Sequence, residues 1–480
     1  MLGKLSRYVG KLGVFLITAA LIAEIAGCGP SSYPPCPTPL PSQNLEIRDW
    51  YDLAAVSSNL SGNHTLVNDL DSTTLGYEEL AGPRANQGKG WEPIGTFVPM
   101  CPYAGFSGTF DGQGHEIRDV YINRPDDDLV GLFGCAEGVV RNVGVTNVTV
   151  IGDWGVGALV GRNLGGNVSN SYAIGTVRGN LNVGGLVGYN QGPVTNCYAT
   201  GNVIAGVAVG DAGAVIGGFG IGGLIGVSEE AAVSNCYFTG NVVSYLSCAD
   251  WASLAGVGGL VGVSYATVSN SHCNANVTGK NGVGGLVGRD LFTGTISNSY
   301  FTGSVTGNSS VGGLVGGSLA GHVLWVKLDD MVSHSYSTGD VTGNESVGGL
   351  VGWNEGNNVS NSYCTGSVTG NSSVGGLVGE NIEGTVSNSY STGIVTGDGH
   401  VGGLVGLNWD TVSNSFWDTQ TSGQATSAGG IGKNTTEMQD IATFSGAGWS
   451  ITTVAPGERN PSYIWNIVDG LTYPFLSWKL

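Results

Sequence analysis

The sequence is poor in charge, and positive charge is the scarcer sign. Only 11% of its 480 residues are charged, with 17 lysines and arginines against 36 aspartates and glutamates, so the formal net charge is −19. Proteins that bind nucleic acid need a basic surface that neutralises phosphates. The composition therefore excludes nucleic acid as an expected partner.

The common catalytic and metal-binding motifs are missing as well. The near-match to the zinc signature H-E-x-x-H, at His115-Glu116, lacks the second histidine, and no G-x-S-x-G nucleophile elbow occurs. The nine cysteines form no C-x-x-C pair, which argues against zinc and thioredoxin-like sites. We therefore expect no metal, no cofactor and no enzymatic activity.

The acidic residues form no clear ligand pattern either. Asp126-Asp127-Asp128 is interpreted as a solvated loop, and calcium binding is the alternative for it. Asp69, Asp71 and Asp111 are scattered through the segment that precedes the repeats, and they indicate no site.

Residues 1–27 have the layout of a secretory signal peptide, with a basic opening and an apolar run from Leu12 to Ala23. The sequence Ile25-Ala26-Gly27-Cys28 resembles the lipobox of prokaryotic lipoproteins, in which the signal is cut before the cysteine and the cysteine carries a lipid. We expect lipidation of Cys28 and hence a membrane anchor. An uncleaved membrane anchor is the alternative, but the run is shorter than the ~20 residues that span a bilayer.

Glycine is abundant, with 85 residues, and much of it lies in the recurring phrase V-G-G-L-V-G. Ten copies or variants of the phrase begin at Val130, Val156, Val183, Ile221, Val257, Val283, Val311, Val347, Val374 and Val401. The basic spacing is about 27 residues, and short β-favouring stretches without a helical period fill each unit. The repeat predicts an all-β protein with a parallel β-helix, right-handed and with three strands per coil.

The repeated phrase has a physical reading in such a fold. Valine and leucine supply the buried row, while glycine permits sharp corners and close approach of the backbone. Leu350, Leu377 and Leu404 are predicted to form an interior ladder. Asn361, Asn388 and Asn414 are expected to form a second ladder, directed inward at the corners.

The combination of V-G-G-L-V-G with S-N-S-Y-x-T-G-x-V resembles the GLUG-motif proteins, which are exported surface proteins. Upstream, WEPIG and GTFDGQGHEIRDV resemble the lead-in segment of that family, and downstream SFWDTQTSG and WNIVDGLTYPFLSW resemble its usual ending. The resemblance covers about residues 45–480 and implies a β-helical extracellular protein, often adhesin-like. Some relatives are joined to immunoglobulin-cleaving metallopeptidases, whose zinc signature this chain lacks.

These features divide the chain into five parts. They are a signal peptide over 1–27, a proline-rich tether over 28–44, an N-terminal cap and lead-in over 45–128, a repeat β-helix over 129–415 and a C-terminal cap over 416–480. Caps are expected because the open end of a strand stack is an aggregation edge. Short helices are predicted near Asp49–Ser57 and at Glu437-Met438.

Three units are longer than the basic repeat. The extra residues of one lie around Ser318 to Met331, at a different corner, and those of the other two lie within Ile204–Gly220 and Val243–Gly256. These last two insertions occur at the same point of consecutive units, so they are expected to leave from the same corner of neighbouring rungs. The second contains Tyr245, Asp250 and Trp251, which we predict as candidate ligand-binding residues because long loops on a rigid scaffold commonly carry binding sites. A plain excursion packed on its own apolar residues is the alternative.

Equivalent positions of successive units carry an aromatic residue, and this set is called the aromatic row. Its members are Tyr172, Tyr198, Tyr237, His272, Tyr300, Tyr336, Tyr363, Tyr390 and Phe416. Strand alternation does not decide whether the row faces outward, as a strip for a sugar, or inward as core. Cys197 and Cys236 also share one position, and we expect buried thiols there, with a disulfide as the alternative.

The sequence thus predicts a lipid-anchored, extracytoplasmic β-helix at the cell envelope or surface. An adhesin-like protein that binds an extracellular glycan or protein is favoured. The alternatives are a carbohydrate-active enzyme, against which the scarcity of repeated acids on the rungs counts, and a structural stalk without a ligand.

Overall fold

The computed structural model describes residues 42–97, 104–206, 219–246, 254–292, 294–320 and 332–479. These residues form long parallel sheets whose strands stack in register from coil to coil, which confirms the predicted parallel β-helix. Each full coil contributes to four sheets, here named A to D, instead of supplying three strands. The reason is that V-G-G-L-V-G bends at its central Gly-Leu: Ser372–Gly375 belongs to sheet D, and Val378–Ile382 belongs to sheet C.

The strands of the four sheets have the following bounds. Sheet A contains Leu45–Ile47, Asn63–Leu66, Thr109–Asp111, Val139–Arg141, Asn167–Ser169, Val194–Thr195, Val233–Ser234, Thr267–Ser269, Thr295–Ser297, Val332–Ser333, Asn358–Ser360, Thr385–Ser387 and Val412–Ser413. Sheet B contains Glu116–Arg118, Tyr121–Asn123, Gly144–Ile151, Tyr172–Gly179, Tyr198–Ala205, Tyr237–Ser244, His272–Thr278, Tyr300–Thr306, Tyr336–Ser337, Asp340–Thr342, Tyr363–Cys364, Val368–Thr369, Tyr390–Ser391, Val395–Thr396, Phe416–Asp418 and Ile431–Lys433. Sheet C contains Phe133–Ala136, Val160–Asn163, Val187–Asn190, Ile225–Ser228, Val261–Ser264, Val287–Phe292, Val315–Ala320, Val351–Glu355, Val378–Ile382 and Val405–Asn408. Sheet D contains Trp154–Gly157, Leu181–Gly184, Gly220–Gly222, Gly256–Gly258, Asn281–Gly284, Ser309–Gly312, Glu345–Gly348, Ser372–Gly375 and Gly399–Gly402.

The interior is a set of apolar columns that run from coil to coil. Leu350, Leu377 and Leu404 are fully buried. The Leu350 N–H donates to the Leu377 carbonyl and the Leu377 N–H donates to the Leu404 carbonyl, so the predicted ladder is confirmed. The second glycine of the phrase leaves room for a side chain from sheet B. A Cβ atom at Gly285, for example, would overlap the ring of Phe301. Glycine is therefore needed at this position because the opposite column fills the space.

The predicted inward ladder of Asn361, Asn388 and Asn414 is wrong. These three residues occupy corners in the left-handed backbone region, with φ of 46°, and none of them is buried. Asparagine tolerates this conformation better than most residues, which accounts for its recurrence there. The corner asparagines instead form an outer ladder in part of the chain, where the Asn196 side chain donates to Asn170 at 3.1 Å.

The inward polar ladder lies at the end of the sheet C strands. The Asn354 amide donates to the Asn357 carbonyl at 3.0 Å and to the side chain of Asn381 at 2.8 Å. Asn381 repeats the arrangement with Gly384 and Asn408. This column, called the inward amide column, therefore satisfies corner carbonyls inside the fold, where an unpaired group would be costly.

A further buried column holds serine in most coils and cysteine in two. The hydroxyl of Ser271 donates to the Ser269 carbonyl at 2.7 Å, and the N–H of Ser271 donates to the hydroxyl of Ser299 at 3.2 Å. Cys197 and Cys236 occupy this column, and both are buried free thiols, as expected. Each sulfur donates to the carbonyl two residues earlier, at 3.2 Å, just as the serines do.

The N-terminal residues extend the stack before the first repeat, because Leu45–Ile47, Asn63–Leu66 and Thr109–Asp111 already pair in sheet A. An α-helix over Trp50–Ala55 follows the first strand, as predicted, with Asp49 as its N-cap. Trp50 is fully buried beside Trp91. The other helices of this region are 3-10 turns over Val56–Ser58 and Ala85–Gly88 and an α-helix over Tyr77–Leu80.

The C-terminal residues cross the end of the last coil and also cover part of the outer face of sheet B. The sequence suggested only the first of these roles. Residues 419–430 cross the end of the last coil, where the carbonyl of Thr426 accepts from Gly403 and the N–H of Ala428 donates to Val405. Residues 434–479, called the C-terminal segment, turn back and pack against the outside of sheet B. The segment contains the helices Thr435–Met438 and Ile441–Ser445 and a small sheet of Ile451–Thr453, Trp465–Ile467 and Phe475–Leu476.

Candidate binding surface

Of the site residues predicted from the sequence, Tyr245 lies within the described residues. It follows the strand Tyr237–Ser244, its side chain is 64% exposed, and its N–H donates to the Ala205 carbonyl at 3.0 Å. Asp250 and Trp251 lie outside the described residues, as do Cys28, the signal peptide and most of the tether.

The stems of the two insertions are neighbours, as the repeat spacing predicted. Ala205 pairs with Ser244 where the insertions begin, and Gly220 pairs with Gly256 where they end. Both insertions therefore leave sheet B and enter sheet D at the same corner of adjacent coils.

The aromatic row lies on the outer face of sheet B. Ala173, Phe238 and Phe301, each of which directly follows a member of the row, point inward and are buried in the main hydrophobic core. The members of the row are not part of that core. Successive rings from Tyr172 to Tyr390 are 4.7 to 5.1 Å apart and nearly parallel, with interplanar angles of 2° to 10°. Each inner ring thus stacks against a neighbour on both faces, and what the row offers to solvent is ring edges and hydroxyl groups.

The C-terminal half of the row is covered by the C-terminal segment. Tyr336, Tyr363, Tyr390 and Phe416 are buried together with tryptophans of that segment in a second hydrophobic core. Trp465 lies 6.0 Å from Tyr363 and 5.8 Å from Tyr390, measured between ring centroids. The hydroxyl of Tyr390 donates to the Pro474 carbonyl at 2.6 Å.

The segment ends at the middle of the row. Lys479 donates to the hydroxyl of Tyr363 at 2.9 Å and lies 4.8 Å from the ring centroid of Tyr336. Its burial lowers the pKa of the Lys479 ammonium group. Trp478, which is partly exposed, borders Tyr300 and donates to the His334 carbonyl at 3.1 Å. The covered half therefore stops at Tyr300.

From Tyr172 to His272 the outer face of sheet B has no such cover among the described residues, and Tyr300 lies at the edge of the covered part, beside Trp478. This area, called the open face, consists of the strands Tyr172–Gly179, Tyr198–Ala205, Tyr237–Ser244, His272–Thr278 and Tyr300–Thr306. Its aromatic residues are only partly exposed because they stack on each other. Burial lowers the pKa of His272, so this member of the row is neutral at pH 7.

Two polar rows run beside the aromatic row across the open face. The first, called the threonine row, contains Thr200, Thr239, Asn274 and Thr302. The second, called the amide row, contains Asn202, Asn241, Asn276 and Ser304, which are linked side chain to side chain at 2.7 to 3.0 Å. The register of the strands places equivalent residues of both rows directly opposite each other in adjacent coils. Four of the five coils therefore present a hydrogen-bonding group in both rows, and in the first coil Ile174 occupies the position of the threonine row.

A cluster of charged side chains lies at the N-terminal end of the aromatic row. Asp69 accepts from His115 at 3.1 Å and from Arg118 at 2.8 Å, and Arg118 also pairs with Glu116 at 2.6 Å. The Tyr172 hydroxyl donates to Glu116. This cluster was missed in the sequence, because Asp69 and His115 are 46 residues apart and no motif joins them.

Hydrogen bonds keep the two carboxylates of the cluster ionised. The Tyr172 hydroxyl, followed by Arg118, lowers the pKa of Glu116, and the backbone N–H of Glu116 is the main cause that lowers the pKa of Asp69. Burial and the neighbouring Glu116 raise the pKa of Tyr172. A general acid at neutral pH would need a raised carboxyl pKa, so neither carboxylate fits that role.

Residues that the sequence offered as metal ligands do not converge. Asp127 pairs with Arg124 at 3.1 Å and with Lys89 at 3.6 Å. Across the described ranges, no three His, Cys, Asp or Glu side chains are grouped so as to hold a metal ion. No helix in the same ranges is long and apolar enough to cross a membrane.

Comparison with known proteins supports the assignment of the repeats. Six segments match the model of the GLUG motif, namely residues 152–178, 179–204, 217–243, 307–342, 343–369 and 370–396. These six segments are GLUG motifs. This match confirms the identity of the repeat that the V-G-G-L-V-G phrase suggested.

Two relatives share part of the chain. Halomucin of Haloquadratum walsbyi is 35% identical over 156 residues, which are 32% of this chain and 2% of halomucin. A candidate Gly-rich membrane protein of Evansella cellulosilytica is 40% identical over 105 residues, which are 21% of this chain and 11% of that protein. The chain therefore spans only a small part of either relative's length.

A solved structure, of a candidate immunoglobulin A1 protease from Bacteroides ovatus, is also similar. It aligns over 92% of this chain and 93% of its own length, with 17% identity and a TM-score of 0.30. Similarity at this level carries no functional argument.

Proposed function

We propose that this protein is an exported, adhesin-like component of the cell envelope that is anchored by a lipid on Cys28 and binds an extracellular glycan or protein. The open face is the observation that carries the proposal. A rigid β-helix presents a regular set of ring edges, hydroxyls and amides there, and no described residue covers them. Surface features of this kind on a fixed scaffold are well suited to recognition.

Two further observations support an envelope location. Parts of the chain are similar to halomucin and to a candidate membrane protein, whose names agree with a place at the cell surface. The acidic, weakly charged composition agrees with an exported protein that does not bind nucleic acid. Cys28 follows the lipobox-like sequence described above.

The binding part of the proposal is tested by screening the purified protein against arrays of glycans and of host or matrix proteins. The screen includes a Tyr245→Ala, Asp250→Ala, Trp251→Ala variant, because these residues were predicted from the sequence. Binding that this variant loses would assign recognition to the paired insertions. Binding that it keeps would leave the open face as the candidate. No binding by the folded protein would contradict adhesion and favour a structural stalk, and turnover of a polysaccharide would favour an enzyme.

The anchor is tested separately by metabolic labelling with a radioactive fatty acid in the expression host. The wild-type protein is expected to incorporate label and to fractionate with membranes. A Cys28→Ala variant is expected to lose both properties. Equal labelling of the two proteins would contradict the anchor without affecting the binding proposal.

A further inference from the structure

We infer that the open face binds a neutral, extended polysaccharide, whose chain lies along the direction in which the coils stack. This inference rests on the proposed adhesin-like function and adds the ligand class and the residues. The threonine row and the amide row supply the hydrogen bonds, and the uncovered part of the aromatic row forms one border of the site.

The open face carries very little charge. Along the outer side of the five strands, Arg178 is the one residue with a permanent charge, although the protein as a whole carries a net charge of −19. The charged cluster of Asp69, His115, Glu116 and Arg118 lies beyond the row, at its N-terminal end. A polyanion would find one complementary charge on the open face, that of Arg178, and a polycation would find none. A ligand rich in hydroxyl groups and without charge fits it.

The side chains of the threonine row and the amide row suit a ligand rich in hydroxyl groups. Threonine hydroxyls and asparagine amides both donate and accept hydrogen bonds, so a sugar hydroxyl can bind to them either as donor or as acceptor. Asn241 and Asn276 are exposed, as are Thr239 and Asn274 beside them. Bonding along the amide row orients each amide while leaving part of its hydrogen-bonding capacity directed to solvent. Little ordering of side chains is then needed on binding, which favours affinity.

The open face is periodic along the direction in which the coils stack. Equivalent groups recur once per coil, and the ring spacing of 4.7 to 5.1 Å measures that repeat directly. The five coils of the open face therefore span roughly 20 Å at the usual distance between strands. A polymer of identical units can make the same contact with coil after coil, so weak individual contacts add along one chain.

A protein ligand is less well matched to this face. Protein interfaces usually need a contiguous apolar centre, and the aliphatic side chains on the outer side of these strands are confined to Ile174, Ile204 and Val243. The covered half of the row shows the contrast, because there the C-terminal segment brings Trp449, Trp465 and Phe444 onto the rings. The outer threonines of the covered coils, such as Thr338 and Thr365, remain exposed beside that segment.

The test uses the purified full chain and polysaccharides of known charge. Cellulose, chitin, amylose and mannan serve as neutral polymers, and alginate and hyaluronate serve as polyanions. Binding is measured by co-sedimentation for insoluble polymers and by affinity electrophoresis for soluble ones, at about 50 and 500 mM NaCl. We expect retention by at least one neutral polymer, with an affinity that changes by less than about twofold between the two salt concentrations, because no ion pairs are involved.

A matched pair of variants locates the site. Thr200→Ala, Thr239→Ala and Thr302→Ala together remove three hydroxyls from the open face. Thr267→Ala, Thr295→Ala and Thr385→Ala remove three hydroxyls from the outer face of sheet A. We expect at least about tenfold weaker binding for the first variant, since three hydrogen bonds are lost, and unchanged binding for the second. Circular dichroism and thermal melting establish that both variants are folded.

Three outcomes would overturn the inference. They are binding to polyanions only, equal binding by the two threonine variants, and failure of the folded wild-type protein to bind any neutral polymer. If the protein then still binds a protein ligand on the array described above, the adhesin-like function stands and only the ligand class fails. If it binds neither kind of ligand, both proposals fail.

Discussion

Asp290 is the one acidic residue in the inward amide column among the described residues, and it provides a quantitative test of the fold. Its register neighbours are Ser264 in the preceding coil and Ser318 in the following coil, and the same column carries Asn354 and Asn381 farther along. Asp290 is 2% exposed, and its Oδ1 atom has no hydrogen-bond partner. Burial raises the pKa of the Asp290 carboxyl well above its ordinary value.

Asp290→Asn is therefore expected to stabilise the protein at neutral pH. The asparagine replaces a carboxyl group that at neutral pH must either be charged in a buried, apolar environment or stay protonated well above its ordinary pKa. It also restores the residue type that closes corners elsewhere in the column. A buried, unsatisfied polar group costs about 1 to 3 kcal/mol, so the free energy of unfolding at pH 7 should rise by about that amount.

The sign of the pH dependence follows from proton binding. The unfolded chain releases the Asp290 proton near pH 4, while the folded protein keeps it to a higher pH because the folded pKa is raised. Between these two pKa values the folded state binds more protons, so the wild-type protein loses stability from this group as the pH rises. Asp290→Asn lacks this loss. Its advantage should be small at pH 3.5 and should grow towards pH 7.

Urea unfolding of both proteins at several pH values measures this difference. Carboxylates with lowered pKa values, such as Asp69 and Glu116, destabilise both proteins equally in acid, so the variant-minus-wild-type difference isolates Asp290. A difference that does not change with pH, or a variant less stable than the wild type at pH 7, would refute this reasoning about the column.

Three other changes test separate parts of the structure. Trp465→Ala should remove about 3 to 5 kcal/mol of packing free energy and release the C-terminal segment from sheet B. Hydrogen exchange should then accelerate in residues 434–479 but not in the coils. Uniform acceleration along the chain would contradict a separate second core. Cys197→Ser together with Cys236→Ser should change the unfolding free energy by less than about 1 kcal/mol, since serine fills the same column elsewhere. A large loss of stability, measured by denaturant unfolding, would contradict the equivalence of serine and cysteine in this column. Tyr172→Phe should raise the pKa of Glu116 towards its ordinary value, which a carboxyl NMR titration would detect, and an unchanged pKa would exclude the hydrogen bond as its cause.

The sequence was sufficient for the fold because one phrase repeats with a fixed spacing. Leu350, Leu377 and Leu404 could be placed in one ladder from spacing alone, since equivalent residues of a solenoid stack. The number of sheets per coil was not predictable in this way. A bend at Gly-Leu within V-G-G-L-V-G depends on whether the opposite column fills the space, as Phe301 does at Gly285.

The surface was less predictable because it depends on contacts between distant parts of the chain. Alternation alone could not orient the aromatic row, and the row's two halves differ only because the C-terminal segment folds back over one of them. The tryptophans that cover it, such as Trp465, carry no repeat signal. Asp69 and His115 likewise meet only because the lead-in strands stack before the first repeat.

Hydroxyl-radical footprinting of the protein, free and bound to its ligand, tests the central claim most directly. The account predicts protection of Tyr198, Tyr237 and Tyr300 on the open face when ligand is bound. Tyr51 and Tyr463, which are 41% and 40% exposed elsewhere on the protein, should be labelled equally in both states. Protection confined to other surfaces, with the open-face tyrosines unchanged, would contradict the account.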